Sequence, residues 1–357
     1  MPQAIRCLIV DDSALSRKIV RMALEQIDGV EVIGFARDGV EGAAKAEELK
    51  PDMITMDQEM PNLNGVEATR KIRRGNPNAA IVMVSSTTYE GASLTNQALS
   101  AGAFDFVTKP ATTSIDDSVR ELTNQLSSKV DTCRQMLRRD RGQRPPVATP
   151  RPAQPQRRVS STPEAVFIGV STGGPNALNT LLRAFPRDFP VPVIVVQHMP
   201  PVFTKSLADQ LNSVCSLSVS EAVQDQVVAA GQIVVAPGGK QLKVEKSLVN
   251  TKIVITDDPP QCNAKPSVDY LFQSAARQFG SRALGVILTG MGDDGCIGSK
   301  SIRDAGGFVM TQSAESCVVY GMPRRVVEEG LSDFQGNLEQ LAEQIVLSCK
   351  TGVALCK

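Results

Sequence analysis

The sequence predicts an α/β protein of two doubly wound domains in tandem, on three observations. Both ends of the chain alternate short β-branched apolar runs with amphipathic stretches, the pattern of βα units on a parallel sheet. Between them, residues 131–163 hold eight basic and two acidic residues among six prolines, with almost no apolar run after Leu137. Such a segment reads as an extended, solvated linker, helical only at its start. The length, 357 residues, suits two domains that each bury a core.

In chain order, strands are expected at 7–10, 30–35, 53–56, 80–84 and 104–107, with helical patterns between them. Five βα units outline a flavodoxin-like (βα)5 domain over residues 1–130. After the linker, residues 164–357 offer strands at 166–170, 193–197, 217–221, 233–236, 253–255, 284–288 and 308–311. Gly238-Gly239, between 233–236 and 242–244, is expected to turn a hairpin, giving this mainly parallel sheet an antiparallel edge.

Charge and composition exclude several classes. Lys and Arg number 38 and Asp and Glu 38, so no bulk charge nominates a nucleic acid. The neutrality is a sum of unlike parts: net −4 over 1–130, +6 over 131–163 and −2 over 164–357. No apolar stretch is long enough to span a membrane, and the first residues lack a signal-peptide pattern, so a cytoplasmic location without membrane insertion is expected. The 8 cysteines are scattered without a C-x-x-C pair, which signals neither zinc nor a disulfide framework. With 1 histidine in the chain, imidazole chemistry has to use His198.

In open parallel sheets, ligands collect beyond the carboxyl ends of the strands. The first run leads into Asp11 and Asp12, the third into Asp57, the fourth into Ser85 and Ser86, the fifth into Lys109 and Pro110. Any one of these aspartates taken alone could be a helix cap. Three converging carboxylates, however, repel one another unless a hard cation neutralises them, and carboxylate and water oxygens suit Mg2+. With Lys109 as a second positive point and a Ser85 or Ser86 hydroxyl as donor, that edge can hold a phosphoryl group on Asp57 as nucleophile.

The second half opens on an apolar run followed by Gly169-Val-Ser-Thr-Gly-Gly-Pro175. A G-x-S-x-G at a strand-to-helix turn pushes the oxygen of Ser171 out of the sheet, and N–H groups at the helix start can stabilise an oxyanion. An anion-binding glycine turn at a helix N-terminus is the bland alternative for the same residues; a dinucleotide fingerprint fits less well, because Ser171 stands where its second glycine belongs. The run 193–197 delivers His198, and 284–288 leads into Thr289-Gly-Met-Gly-Asp-Asp-Gly295, which brings Asp293 and Asp294 to the same rim. Ser171, His198 and one aspartate are the elements of acyl transfer, in a chain order unlike that of the α/β-hydrolases.

These motifs carry two resemblances. Residues 4–125 resemble the CheY-like receiver domain of two-component signalling, on Asp11-Asp12, Asp57 followed by Met60-Pro61 and Gly65, Ser85, Phe106 and Lys109-Pro110. The resemblance implies Mg2+ at Asp11, Asp12, Asp57 and the main-chain carbonyl of Glu59. It also implies phosphate transfer to Asp57 from a chemotaxis histidine kinase, and a switch made of Ser85, Phe106 and Lys109. Residues 164–347 are similar to the catalytic domain of the chemotaxis methylesterases, on Gly169–Pro175, Val195-Val-Gln-His-Met-Pro200, Ala236-Pro-Gly-Gly239, Pro266-Ser-Val-Asp269, Leu288-Thr-Gly-Met-Gly292, Asp294-Gly295 and Glu315–Pro323. Where many relatives read Gly-Asn-Asp-Gly, this chain has Gly292-Asp293-Asp294-Gly295.

This second resemblance implies catalysis by Ser171, His198 and Asp294, with Thr172 and Met291 lining the site and no cofactor for the ester chemistry. The implied reaction is hydrolysis of glutamate γ-methyl esters on methyl-accepting chemoreceptors, with methanol released and receptor glutamines deamidated, inhibited by the receiver until it is phosphorylated. A phosphorylation-switched binding protein without turnover is the alternative from another class. A DNA-binding response regulator would need a helix-turn-helix, for which there is no candidate.

Overall fold

A computed structural model describes residues 4–112, 114–140, 161–247 and 250–351, and separates the chain into two units, Met1–Pro145 and Pro146–Lys357. The first alternates β1 (Ile5–Val10), α1 (Ala14–Glu25), β2 (Val30–Ala36), α2 (Gly39–Leu49), β3 (Met53–Asp57), α3 (Gly65–Gly75), β4 (Ala80–Ser85), α4 (Tyr89–Ser100), β5 (Asp105–Thr108) and α5 (Ile115–Asp140). All pairings are parallel in the order β2-β1-β3-β4-β5, the flavodoxin-like winding expected from the sequence.

The apolar runs of β3 and β4 are buried along their whole length, which is why they carry almost no polar residues until their carboxyl ends. Each following helix starts on a polar cap: Ser13, Asp38, Asn64 and Thr88 accept from the N–H groups of Ser16, Glu41, Glu67 and Gly91. Each such cap is worth about 1 kcal/mol and fixes the loop at the strand end. The first ten residues of the expected linker, 131–140, are the last turns of α5. Leu126, Val130 and Cys133 continue its buried face, although the local composition is dominated by arginine. Residues 141–160 of the expected linker lie outside the described residues.

The second unit runs β6 (Ala165–Val170), α6 (Gly174–Arg183), β7 (Val193–Gln197), α7 (Phe203–Val214), β8 (Ser218–Glu221), β9 (Val227–Val228), β10 (Gln232–Val235), β11 (Gln241–Lys246), β12 (Thr251–Thr256), α8 (Val268–Phe279), β13 (Ala283–Ile287), α9 (Cys296–Asp304), β14 (Phe308–Gln312), α10 (Met322–Glu328), β15 (Phe334–Gly336) and α11 (Leu338–Thr351). Seven parallel strands form the main sheet in the order β15-β14-β13-β6-β7-β10-β8. The winding reverses between β6 and β13, the place in an open α/β sheet beyond whose carboxyl ends ligands bind. Helix α8 lies over the core: Phe272 and Phe279 are buried with Phe167 of β6 and Leu242 of β11 in one apolar cluster, and Phe167 meets Phe279 edge-on at 5.3 Å.

The hairpin expected at Gly238-Gly239 is not there. β10 stays in the parallel sheet, and the antiparallel hairpin is β11–β12, in a separate small sheet with β9. Gly238 serves close approach instead, since a Cβ on it would lie 2.3 Å from the backbone of Pro200. Among the described residues no helix is long and apolar enough to cross a membrane.

Candidate functional site

The first site lies at the carboxyl edge of the β2-β1-β3-β4-β5 sheet. Asp11, Asp12 and Asp57 each bring a carboxylate oxygen within 4.8 Å of the others. Asp11 and Asp57 are buried, and Asp12 is exposed. Lys109 Nζ stands 2.7 Å from Asp57 Oδ1, which also accepts from the N–H of Gln58 at 2.8 Å. Burial, reinforced by the charge of Asp11, pushes the Asp57 carboxyl up to about 6 against the pull of Lys109. Burial raises Asp11 too, although Ser16 and Ser13 donate to it. Lys109 is itself held above its usual value: burial opposes its charge, but the bond to Asp57 and the nearby carboxylates prevail.

Three carboxylates against one ammonium leave this pocket with surplus negative charge, a donor set that suits a hard divalent cation. Glu59 follows two residues after Asp57 with its side chain exposed. Ser85 is fully buried and faces α4, with Thr95 Oγ1 2.7 Å from its Oγ, whereas Ser86 pairs with Thr88 at 3.2 Å. Thr95 also meets the buried amide of Gln58, and Phe106 is packed in the core. Gln58 and Thr95 escaped the sequence reading, because neither a glutamine in the loop after β3 nor a polar residue within α4 gives a sign of which strand end it faces.

The second site lies at the carboxyl ends of the adjacent strands β7, β6 and β13. Ser171 directly follows β6; its N–H donates to Thr289 O at 3.0 Å, and its carbonyl accepts from Gly174 N at 2.8 Å. Gly173, the N-cap of α6, has φ +77°, a conformation that L side chains rarely adopt, so the turn at the serine requires glycine there. The N-terminus of α6 therefore starts beside Ser171 and contributes partial positive charge. Thr172 is buried, its carbonyl accepting from Thr289 Oγ1 at 3.0 Å, and Met291 is half-buried on the loop after β13.

His198 follows β7, and its main-chain N–H donates to Val170 O at 3.1 Å, which sets it next to the serine turn. Its Nε2 is 2.8 Å from Asp294 Oδ2. No hydrogen bond joins Ser171 Oγ to His198 among the described residues; in many such sites that contact closes only with substrate bound. Asp294 is 3 % exposed and saturated with donors: Oδ2 also takes the N–H of Val268 at 2.7 Å, and Oδ1 takes Ser267 Oγ and the N–H of Asp269, both at 2.9 Å. Its carboxylate thus seats on the N-terminus of α8. Burial alone would raise its carboxyl, but the bond and charge of His198 and the α8 N–H groups hold it below the usual range.

Asp293, the other candidate to orient His198, is exposed. Asp269 is buried behind Asp294, pushed up to about 6 by burial and by Asp294, and it accepts from Gly298 N at the start of α9. The seat made by Ser267, Val268 and Asp269 was not recognised from the sequence, although a serine opening a helical pattern is a cap signal.

Residues 166–345 match the family model of the CheB methylesterase, and residues 7–119 that of the response regulator receiver domain. The protein-glutamate methylesterase/protein-glutamine glutaminase of Desulfotalea psychrophila is 41% identical over 359 residues, spanning 97% of this chain and 99% of its own. Its namesake from Thermotoga maritima is 40% identical over 344 residues, spanning 96% and 98%. The crystal structure of the Thermotoga maritima CheB methylesterase catalytic domain is 38% identical with a TM-score of 0.51, covering 52% of this chain and 98% of that domain. On the matched length of both halves, the chain belongs to the CheB methylesterase family, with a response regulator receiver domain preceding its catalytic domain.

Proposed function

We propose that this chain is a phosphorylation-regulated serine esterase that hydrolyses glutamate γ-methyl esters on chemoreceptors, and deamidates receptor glutamines by the same acyl chemistry. The observation that carries the reading is the saturated Asp294 carboxylate bonded to His198 Nε2 at the rim that holds Ser171. An acceptor of that charge fixes the imidazole proton on Nε2 and leaves Nδ1 as the base. Nδ1 takes the Ser171 proton as Oγ attacks the γ-carbonyl, and Asp294 stabilises the imidazolium. The tetrahedral oxyanion is stabilised by the N-terminal end of α6. His198 returns the proton to the leaving methoxide oxygen, which departs as methanol, or in deamidation to the amide nitrogen, which departs as ammonia; water then attacks the acyl-Ser171 ester by the same route, releasing the receptor glutamate. Thr172 and Met291 line the rim, and no step draws on a cofactor.

In the first domain Asp57 is the phosphoryl acceptor, with a chemotaxis histidine kinase as donor. Asp11, Asp12, Asp57 and the main-chain carbonyl of Glu59 would hold Mg2+, which when bound neutralises the incoming phosphoryl charge. Lys109 supplies the remaining positive charge, and Ser85 with Phe106 carries the change inward. The three-part division into 1–130, 131–163 and 164–357 and a cytoplasmic location complete the reading. Methanol release from methylated receptor tests it: Ser171→Ala and His198→Ala should each lose several orders of magnitude in turnover with the fold intact. Near-parental turnover in either variant would refute the assignment.

A further inference from the structure

The two peptides that carry the serine and the histidine are joined by one side chain that neither chemistry nor receptor contact explains. Gln197, the last residue of β7, is 2 % exposed. Its Nε2 donates to Ser171 O at 3.0 Å and to His198 O at 3.3 Å, so both amide hydrogens are committed, one to each residue's carbonyl. The other end of the amide is left unsatisfied: Gln197 Oε1 is buried and has no hydrogen-bond partner among the described residues. Turning the amide over would set its oxygen against two carbonyl oxygens, so the orientation is fixed by repulsion as well as by bonding.

A buried acceptor without a partner is a net cost that an apolar side chain of the same length would avoid. What a methionine or leucine could not supply is the pair of N–H donors. The neighbouring glycine fits the same account. Gly174 lies outside the left-handed region, so backbone conformation does not call for glycine; yet a Cβ there would sit 1.9 Å from Gln197 Oε1. The two glycines that follow Thr172 therefore serve separate purposes, Gly173 the turn and Gly174 the passage of Gln197.

We propose that Gln197 is a positioning residue that clamps the Ser171 turn to the His198 peptide, holding Oγ in line with the imidazole at the expense of its own unpaired oxygen. The inference rests on the Ser171 and His198 roles given above. A misplacement of about 1 Å at the reacting atoms costs roughly 100-fold in rate, so loss of the clamp should act on kcat rather than on receptor binding.

The test uses the full chain treated with phosphodonor and methylated receptor, with Ser171→Ala alongside. Gln197→Met keeps the length, removes both donors and removes the orphan oxygen. It should melt within about 3 °C of the parent, release methanol with kcat lowered roughly 10–100-fold at nearly unchanged KM, and lose reactivity with a fluorophosphonate serine probe by a similar factor. Gly174→Ala, which pushes Gln197 aside without altering it, should show the same split. The double variant Gly174→Ala/Gln197→Ala should lose less than the sum of the two single losses, because the contact with Gln197 is gone and only that with Val170 Cγ2, 2.8 Å from the same Cβ, remains. Parental kcat and probe reactivity in folded Gln197→Met, or strictly additive losses in the double variant, overturn the clamp. Turnover by Ser171→Ala would instead overturn the esterase reading, so the two failures are distinct.

Discussion

Replacing Asp294 by asparagine tests whether that carboxylate sets the histidine tautomer. The carboxylate accepts four hydrogen bonds, two on each oxygen, and each oxygen takes one main-chain N–H of α8. An asparagine has one acceptor oxygen and one donor nitrogen, so either orientation turns an NH2 group against a fixed N–H. With the NH2 toward Val268 and His198, the imidazole has to accept at Nε2, its proton moves to Nδ1, and the base for Ser171 is lost. With the NH2 toward Asp269, the tautomer survives but an N–H donor is left buried and unpaired, at about 1–3 kcal/mol. Either way the negative charge that stabilises imidazolium is gone.

The tautomer loss in a serine triad is worth about 10⁴ in kcat, or roughly 5 kcal/mol of barrier. We therefore expect Asp294→Asn to lower methanol release by about 10³–10⁴-fold and to lower the melting temperature of the catalytic domain by several degrees, about 2–4 °C per kcal/mol. Asp293→Asn, on an exposed side chain, should stay within about 0.5 kcal/mol in stability and within roughly twofold in turnover. Initial-rate methanol assays with parallel thermal melts read both. If Asp294→Asn retains more than about a tenth of parental kcat, or if Asp293→Asn falls as far, the orienting role belongs elsewhere.

Three further outcomes follow from the same geometry. A small phosphodonor with Mg2+ should label Asp57 alone, with label lost in Asp57→Asn and on chelation, since three carboxylates cannot hold a phosphoryl dianion unaided; label persisting in Asp57→Asn would count against the assignment. Because burial raises the Asp57 carboxyl from 3.8 to about 6, the folded first domain binds more protons than the unfolded chain across that window. In metal-free buffer its stability should therefore fall as pH rises from about 4 to 6 and stay lower at pH 7; Asp57→Asn should flatten that slope in pH-dependent urea melts and be the more stable at pH 7. Ser267→Ala, which removes one of Asp294's four donors and the cap of α8, should cost about 1–2 kcal/mol in thermal melts with a smaller loss of turnover than Asp294→Asn.

What the sequence made legible were features that strand geometry forces to be local. The buried runs of β3, β4, β6 and β7 are almost wholly apolar because both sheet faces are covered, and Asp57, Ser171 and His198 stand out because each stands at the carboxyl end of such a run. The illegible parts depend on partners far away in the chain. Gly238-Gly239 looks like a hairpin turn by composition, but Pro200 and Pro201 decide its path. β9 and β15, of 2 and 3 residues, are too short to show alternation. The choice between Asp293 and Asp294 cannot be read from adjacent identical side chains; it is made by α8, whose N-terminus points its N–H groups at only one of them.

The position of β6 in its sheet bears on how the protein is made. β6 is flanked by β7 on one side and by β13 on the other. More than a hundred residues separate its last residue, Val170, from the first of β13, Ala283. At ribosomal rates of about 5–20 residues per second, β6 waits roughly 5–20 s for its second neighbour. During that interval Ala165–Val170, six residues without a charge or proline, present an open edge of the kind that templates aggregation. The nascent chain is thus most exposed to misassembly along the strand that leads into Ser171, the proposed nucleophile. Slowing synthesis between residues 170 and 283, or withholding a chaperone, should lower soluble yield more than the same delay placed after residue 312.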